Sequence, residues 1–135
     1  MSDVVERAKA ALEALGDKGP WTIDSEGGEP IIHEAHHYDS TDEWYDVDGA
    51  NGGWVAHCED LPVAEFIAQA RTLVPELVAE VERLRARETL IRELAERAAE
   101  VRAWSEPDGP TCDEANALNA LGEDILAALA EGEEA

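Results

Sequence analysis

The sequence predicts an α+β fold, in which a small antiparallel β-meander is covered by helices and followed by a long coiled-coil-like helix and a C-terminal helix. Three observations predict it. Residues 21–58 alternate apolar and polar side chains in short runs separated by glycine turns. Residues 61–104 are rich in helix formers and repeat apolar positions at steps of four and three. Residues 111–131 open with a Thr-x-x-Glu capping pattern and carry another apolar stripe.

The N-terminal part of the chain is expected to hold one helix and the whole sheet. Residues 3–15 place apolar side chains on one helical face, with Ser2 as the expected N-cap and Gly16 as the stop. The acidic residues 40–48 are open to two interpretations, a loop or a short strand around 44–47. Strands are expected on either side of them, at residues 21–25, 31–38 and 54–58.

The first turns of the long helix are expected to cover the sheet. Phe66 and Ile67 are the predicted anchors. Pro75 lacks an N–H and clashes with the preceding turn, so it should bend the helix or divide it in two. We therefore expect an α+β domain of helix, three- to four-stranded sheet and helix over residues 1–73, and a helical oligomerisation arm over residues 74–135.

The long helix carries a heptad pattern that predicts a partner helix. A stripe with this spacing lets one helix lie along another, and a lone helix cannot bury it. The pattern predicts a homo-oligomer, as a pair or as a bundle. Six residues, which we call the helix seam, make up the stripe: Leu77, Val81, Leu84, Ile91, Ala95 and Ala98.

Acidic residues dominate the composition, and the formal net charge is −22. Residues 1–60 hold 15 acids against 3 bases, residues 61–104 hold 8 against 7, and residues 105–135 hold 9 against none. Direct binding to nucleic acid or to an anionic membrane is disfavoured, because both need clustered Lys or Arg. The N-terminus is too acidic for a signal or transit peptide, and no apolar run would span a membrane, so we expect a cytoplasmic protein.

Four short pieces of the chain, taken in order, carry a family resemblance. They are GPW at 19–21, WVAHC at 54–58, AEFIA at 64–68 and VPELVAEVERL at 74–84. This order resembles small uncharacterised proteins of actinobacteriophages and their prophages. The central piece is also similar to the Ead-like accessory proteins of lambdoid phages, in which an AEFIA-type segment precedes a coiled coil. The resemblance, which leaves out the histidine-rich strand and the C-terminal helix, implies a non-essential, oligomeric phage protein in the host cytoplasm.

The histidines form the possible ligand or metal cluster of this chain. Strand alternation puts His33 and His37 on one side of the sheet and His36 on the other, while His57 belongs to a neighbouring strand. Zinc needs three or four convergent ligands, and no CxxC or HExxH spacing is present. We expect solvent-facing histidines and no cofactor, and we keep metal binding, with Trp44 beside the cluster, as the alternative.

The remaining reactive and aromatic residues predict no catalytic site. Cys58 follows His57, but adjacent strand residues face opposite ways, so a buried, inert thiol is expected rather than a nucleophile. Trp21 and Trp54 are expected in the core, and Trp44 is expected to be exposed.

The leading functional hypothesis is a non-enzymatic, oligomeric phage accessory protein that binds a basic host protein. It would act as an acidic mimic of nucleic acid or as an anti-defence protein. The alternative is a ligand-sequestering protein that binds a nucleotide-like small molecule between subunits. A hydrolytic enzyme ranks behind both.

Overall fold

The computed structural model confirms the α+β class and describes residues 3–16, 19–103 and 109–133. The expected cap Ser2 and the end of the long segment at Trp104 lie outside these residues. The elements in chain order are α1 (Val4–Leu15), β1 (Thr22–Ile23), β2 (Ser25–Glu26), β3 (Glu29–Pro30), β4 (His33–His36), β5 (Thr41–Asp48), β6 (Trp54–Cys58), α2 (Leu61–Glu100) and α3 (Cys112–Glu133).

The acidic segment between the predicted strands forms β5, the central strand of a four-stranded antiparallel sheet. Val47 pairs with Ile23 of β1 and also with Ala56 of β6, so these two strands lie on opposite sides of β5. The first half of β5 pairs with β4, where His33 lies opposite Trp44. Of the two interpretations of this segment, the strand is therefore correct, and it is longer than expected.

Between β1 and β4 the chain makes a short excursion away from β5. Strands β2 and β3 pair with each other as a separate hairpin, with Gly27 and Gly28 at its turn in positive φ. The N–H of Ile31 donates to the carbonyl of Asp24 at 2.9 Å, which closes the base of the hairpin. The chain thus returns to β5 close to where it left, and the predicted strand at 31–38 is shortened to β4.

The core of the first unit lies between the sheet and the beginning of α2. Val47 and Ala64 are fully buried, and Cys58 and Ala68 are nearly so. Alanines allow the helix to approach the sheet closely. Ile67 packs against this cluster as predicted, but Phe66 is 74% exposed, so its role as an anchor is wrong. The α-helical period places residues 64, 67 and 68 on one face and turns residue 66 away from it.

Helix α1 has the expected C-terminal end, but its N-cap lies one residue later than the expected Ser2. Asp3 is its N-cap, accepting a hydrogen bond from the N–H of Val5 at 3.3 Å, and Gly16 ends it in the left-handed conformation at φ 67°. Val5 is buried, and with Val4 it lines an apolar groove together with Val74 of α2. The apolar stripe of α1 thus lies along α2 rather than on the sheet.

Helix α2 is continuous and contains Pro75, so of the two alternatives predicted at this proline, a bend or a division, the division does not occur. The chain forms two compact units, Met1–Val81 and Glu82–Ala135. The predicted boundary between residues 73 and 74 lies earlier in the same helix. None of the helices that the structure describes is long and apolar enough to cross a membrane.

The second unit is built from the later part of α2 and from α3. The predicted capping box of α3 is confirmed, because Thr111 and Glu114 each accept the other's backbone N–H at 3.2 Å. Asn119 donates to the carbonyls of Ala98 and Val101 at 2.9 and 3.1 Å, which satisfies acceptors at the end of α2. A side chain of α3 therefore caps the C-terminal end of α2.

Candidate functional site

The face of the sheet opposite Val47 carries the main cluster of chemically active side chains. Strand alternation places Trp44 and Asp46 of β5 on this face, because Tyr45 and Val47 point towards α2. His33 lies opposite Trp44, and His57 lies opposite Asp46. We call this surface the His–Asp face.

Asp46 joins the two histidines that approach from neighbouring strands. Its Oδ2 lies 3.4 Å from Nε2 of His33, and its Oδ1 accepts a hydrogen bond from Nδ1 of His57 at 2.5 Å. The same Nε2 of His33 lies 3.1 Å from Oδ2 of Asp24. Nε2 of His33 therefore faces the carboxylates of both Asp24 and Asp46. The carboxylate of Asp46 in turn contacts the imidazoles of both His33 and His57.

Backbone hydrogen bonds hold Asp24, His33 and Asp46 close together. The N–H of Asp24 donates to the carbonyl of Asp46 at 3.0 Å, so the two carboxylates lie side by side. The closed β2–β3 hairpin then brings His33 next to them. Asp24, His33 and Asp46 are each half-buried and offer ligand atoms within 4.8 Å of one another.

Aromatic rings hold the imidazoles in place. The Trp44 ring stacks on His33 with a centroid distance of 5.9 Å and an angle of 20°, and it meets His57 edge-on at 5.3 Å. The Trp54 ring also contacts His57, with a centroid distance of 4.0 Å, and Trp54 is itself 61% exposed. Trp44 is half-buried, and its enclosed Nε1 has no hydrogen-bond partner among the described residues.

Two expectations for the tryptophans are therefore wrong. Trp44 was expected to be exposed and Trp54 to be in the core. A register irregularity between Val47 and Asp48 of β5 lies next to Trp54, which pairs with Asp48 and emerges on the His–Asp face. Trp21 packs against the core as predicted.

The other two histidines lie apart from this cluster. His37 bonds Asp42 at 2.8 Å through exposed side chains, and His36 contacts Thr41 at 3.2 Å. His36 also lies 3.4 Å from Glu34. Of the predicted group, the structure thus brings together His33, His57 and Trp44.

Sequence reasoning missed both carboxylates of the site. Asp24 and Asp46 are two among 32 acidic residues, and their convergence depends on a hairpin excursion that no spacing rule describes. The sequence offered only a weak signal for Asp46. It lies two residues after Trp44, so in a strand both side chains point to the same face of the sheet.

Cys58 and the His–Asp face lie on different sides of the sheet. Cys58 pairs with Tyr45, is 4% exposed and packs against the core, as expected for an inert thiol. The cluster can bind a cation through its carboxylate and imidazole atoms.

The helix seam divides between exposed and covered positions. Leu77, Leu84 and Ile91 are 61%, 48% and 43% exposed. Val81 and Ala98 are half-buried. Ala95 is 2% exposed, and its carbonyl lies against Gly122 of α3, so this seam residue is covered within its own chain.

A second concave surface lies along the boundary between the sheet and α2. This groove has a volume of about 550 Å³ and contains Trp21, Ile23 and Leu73. Its charged side chains are Glu65 and Glu76, which disfavour an anionic ligand.

Fold and site together define a small α+β protein with a strongly anionic sheet and a His–Asp cluster on the face turned away from α2. Comparisons with known proteins place it no further: no family model, no curated protein and no solved structure matches the chain.

Proposed function

We propose that this chain is a non-enzymatic, oligomeric phage accessory protein that binds a basic host protein through the acidic surface of its sheet. One observation carries the proposal. Residues 19–70 hold twelve Asp and Glu and no Lys or Arg, and nine of the twelve acids are exposed. A surface with one sign of charge attracts a partner of the opposite sign and speeds their encounter.

The acidic surface has a defined centre on β4 and β5. Glu34 and Glu43 lie directly opposite each other and are both exposed. Like charges in this position destabilise a strand pair, so their presence is best explained by a role outside folding. Exposed carboxylates of this kind suit a groove that otherwise receives phosphate groups, which is the basis of nucleic-acid mimicry and of an anti-defence role.

Self-association is the second part of the proposal. Leu77, Leu84 and Ile91 retain large exposed areas, and a second copy of the helix would cover them. Ala95 does not take part, because α3 covers it. The family resemblance described above supports this second part, since Ead-like proteins place a coiled coil at the corresponding position.

Ligand sequestration is less well supported. The groove beside Trp21 lies within one chain, and its two glutamates would repel the phosphates of a nucleotide. A neutral, flat ligand is the kind of small molecule that this groove would accept.

Capture of host proteins from bacterial lysate at low salt tests the proposal. The immobilised protein should retain a basic protein that both salt and added duplex DNA release. The double variant Glu34→Gln, Glu43→Gln should retain it at least about tenfold less well, because each charge pair lost across an interface costs on the order of 1 kcal/mol or more. The variant Glu93→Gln, Glu96→Gln removes the same charge from exposed positions of α2 and should bind normally.

Three results would contradict the proposal. These are the absence of any captured protein at low salt, capture that is insensitive to DNA, and equal losses in the two double variants. Native mass spectrometry of the purified protein tests self-association separately, and a monomer would remove that part alone.

A further inference from the structure

We propose that Asp24, His33 and Asp46 bind one divalent transition-metal ion, with Zn²⁺ as the best-fitting ion. The proposal concerns a site separate from Glu34 and Glu43 and does not depend on a protein partner. It rests on the donor atoms, their spacing, their charge and the way in which the surrounding residues hold them.

The spacing of the donor atoms suits a metal ion. Nε2 of His33 lies 3.1 Å from Oδ2 of Asp24 and 3.4 Å from Oδ2 of Asp46. Zinc binds imidazole nitrogen and carboxylate oxygen at roughly 2.0–2.2 Å, so neighbouring ligands of a tetrahedral ion are about 3.3 Å apart. The ligand atoms of all three residues lie within 4.8 Å of one another, so an ion between them requires only that the donors draw closer together.

The charge of the cluster also favours a divalent cation. The two carboxylates bring two negative charges to half-buried positions. The sequence supplies no Lys or Arg between residues 19 and 70 to offset them. A single N–H on His33 Nε2 cannot satisfy both carboxylates at full strength, whereas a divalent ion contacts all three groups at once.

The groups around the donors hold them in the orientation that binding requires. Asp46 keeps its second oxygen in a hydrogen bond with His57, which is how metal-binding carboxylates are commonly oriented. The Trp44 ring stacks on His33 and limits rotation of the imidazole. The backbone bond from Asp24 to Asp46 fixes the two carboxylates relative to each other. A site held in this way loses little conformational freedom on binding.

The donor set discriminates between classes of cation. Calcium prefers six to eight oxygen ligands, and magnesium retains most of its water, so neither suits one imidazole and two carboxylates. Zinc binds such mixed sets, and three protein ligands leave its fourth position open to water. The half-buried placement of the cluster keeps that position accessible from solvent.

The test is a zinc titration of the whole chain after treatment with a chelator, with stoichiometry from native mass spectrometry and affinity from competition with a chromophoric chelator. All proteins should carry Cys112→Ser, because the exposed Cys112 thiol is itself a zinc ligand. We expect one Zn²⁺ per chain, and a zinc-dependent rise in the melting temperature. His33→Gln and Asp24→Asn should each weaken binding by more than the roughly 10- to 100-fold loss typical of residues that only orient ligands.

The exposed pair His37 and Asp42 supplies a matched control. It has a similar His–carboxylate contact on the same sheet, at 2.8 Å, and it is not part of the three-ligand group. His37→Gln should therefore leave zinc affinity unchanged. Absence of bound zinc in the parent protein would overturn the proposal. Unchanged affinity in His33→Gln would also overturn it, as would an equal loss in His37→Gln. Circular dichroism of each variant shows whether it is folded, and Asp24→Asn provides the test if His33→Gln is not.

Discussion

Asp46 organises the His–Asp face although nothing in its sequence neighbourhood marks it. Its two oxygens reach His33 and His57, which come from strands on either side of the chain's central strand. Histidines are few enough to attract notice in a sequence, whereas one aspartate among many is not. The candidate site could therefore be predicted only in part: its imidazoles from composition, its carboxylates only from the fold.

Val47 has the same central position in the core that Asp46 has on the His–Asp face. It is fully buried between the sheet and the alanines of α2. Val47→Ala removes two methyl-sized groups and leaves a cavity, so we expect a loss of about 2 kcal/mol in the free energy of unfolding. Denaturant titration followed by tryptophan fluorescence measures it.

Val63 offers a control of the same residue type near the same core. It is 49% exposed, so Val63→Ala should change stability by no more than about 0.5 kcal/mol. Equal effects of the two substitutions would mean that Val47 is not the centre of the core.

At the scale of elements, local chemistry predicted the C-terminal end of α1 and the beginning of α3. Gly16 ends α1 and the Thr111 capping box begins α3, because each depends on hydrogen bonds within a few residues. The β2–β3 hairpin excursion and the exposure of Phe66 were not predictable in this way. They depend on how distant segments pair, and a short apolar pattern does not specify that.

The close approach of α2 and α3 is a further element-scale feature that the heptad pattern did not distinguish from association between chains. At Gly122 a Cβ would lie 2.5 Å from the carbonyl oxygen of Ala95 and 2.6 Å from the backbone nitrogen of Ala99. These are backbone atoms and cannot rotate away. Small residues at such a crossing allow two helices to pack without space between them.

Gly122→Ala should therefore destabilise the second unit, although alanine is the better helix former by about 1 kcal/mol. Overpacking of this kind costs typically 1–3 kcal/mol or more, so we expect a net loss of helical signal at lower temperature. Thermal unfolding followed by circular dichroism at 222 nm measures it.

Gly132 in the same helix is the matched control, because a Cβ there would meet nothing within 4 Å. Gly132→Ala should leave the melting temperature unchanged or raise it slightly. If Gly122→Ala were also neutral or stabilising, the two helices would not pack as closely as described.

For the whole molecule, the class and order of elements were predictable because helix and strand periods are strong signals over long segments. The division into units was less so, since α2 passes through Pro75 without ending. The packing of a long helix stabilises it by more than the one backbone hydrogen bond that a proline removes. A prediction from local helix propensity does not include the packing energy. The net charge, by contrast, can be calculated directly from the sequence.

The net charge of −22 should make the stability of the protein depend on salt. Compact folding brings carboxylates together, and their mutual repulsion opposes it most strongly when screening is weak. The screening length falls from about 30 Å at ~0.01 M salt to about 8 Å at ~0.15 M salt. We expect sodium chloride to raise the melting temperature over this range by about 4 °C or more, equivalent to ~1 kcal/mol for a protein of this size.

Two substitutions separate this effect from a general action of salt on proteins. Glu43→Gln removes a charge that faces Glu34 across the strand pair, so it should stabilise the protein and reduce the salt dependence. Glu88→Gln removes one carboxylate that contacts the guanidinium of Arg92, at 2.8 Å, so it should not stabilise the protein and should leave the repulsion in the sheet unchanged. A melting temperature that does not respond to salt would show that the acidic surfaces are too far apart or too well solvated to repel one another. The acidic residues would then affect partner binding alone, and their mutual repulsion would not lower the stability of the isolated protein.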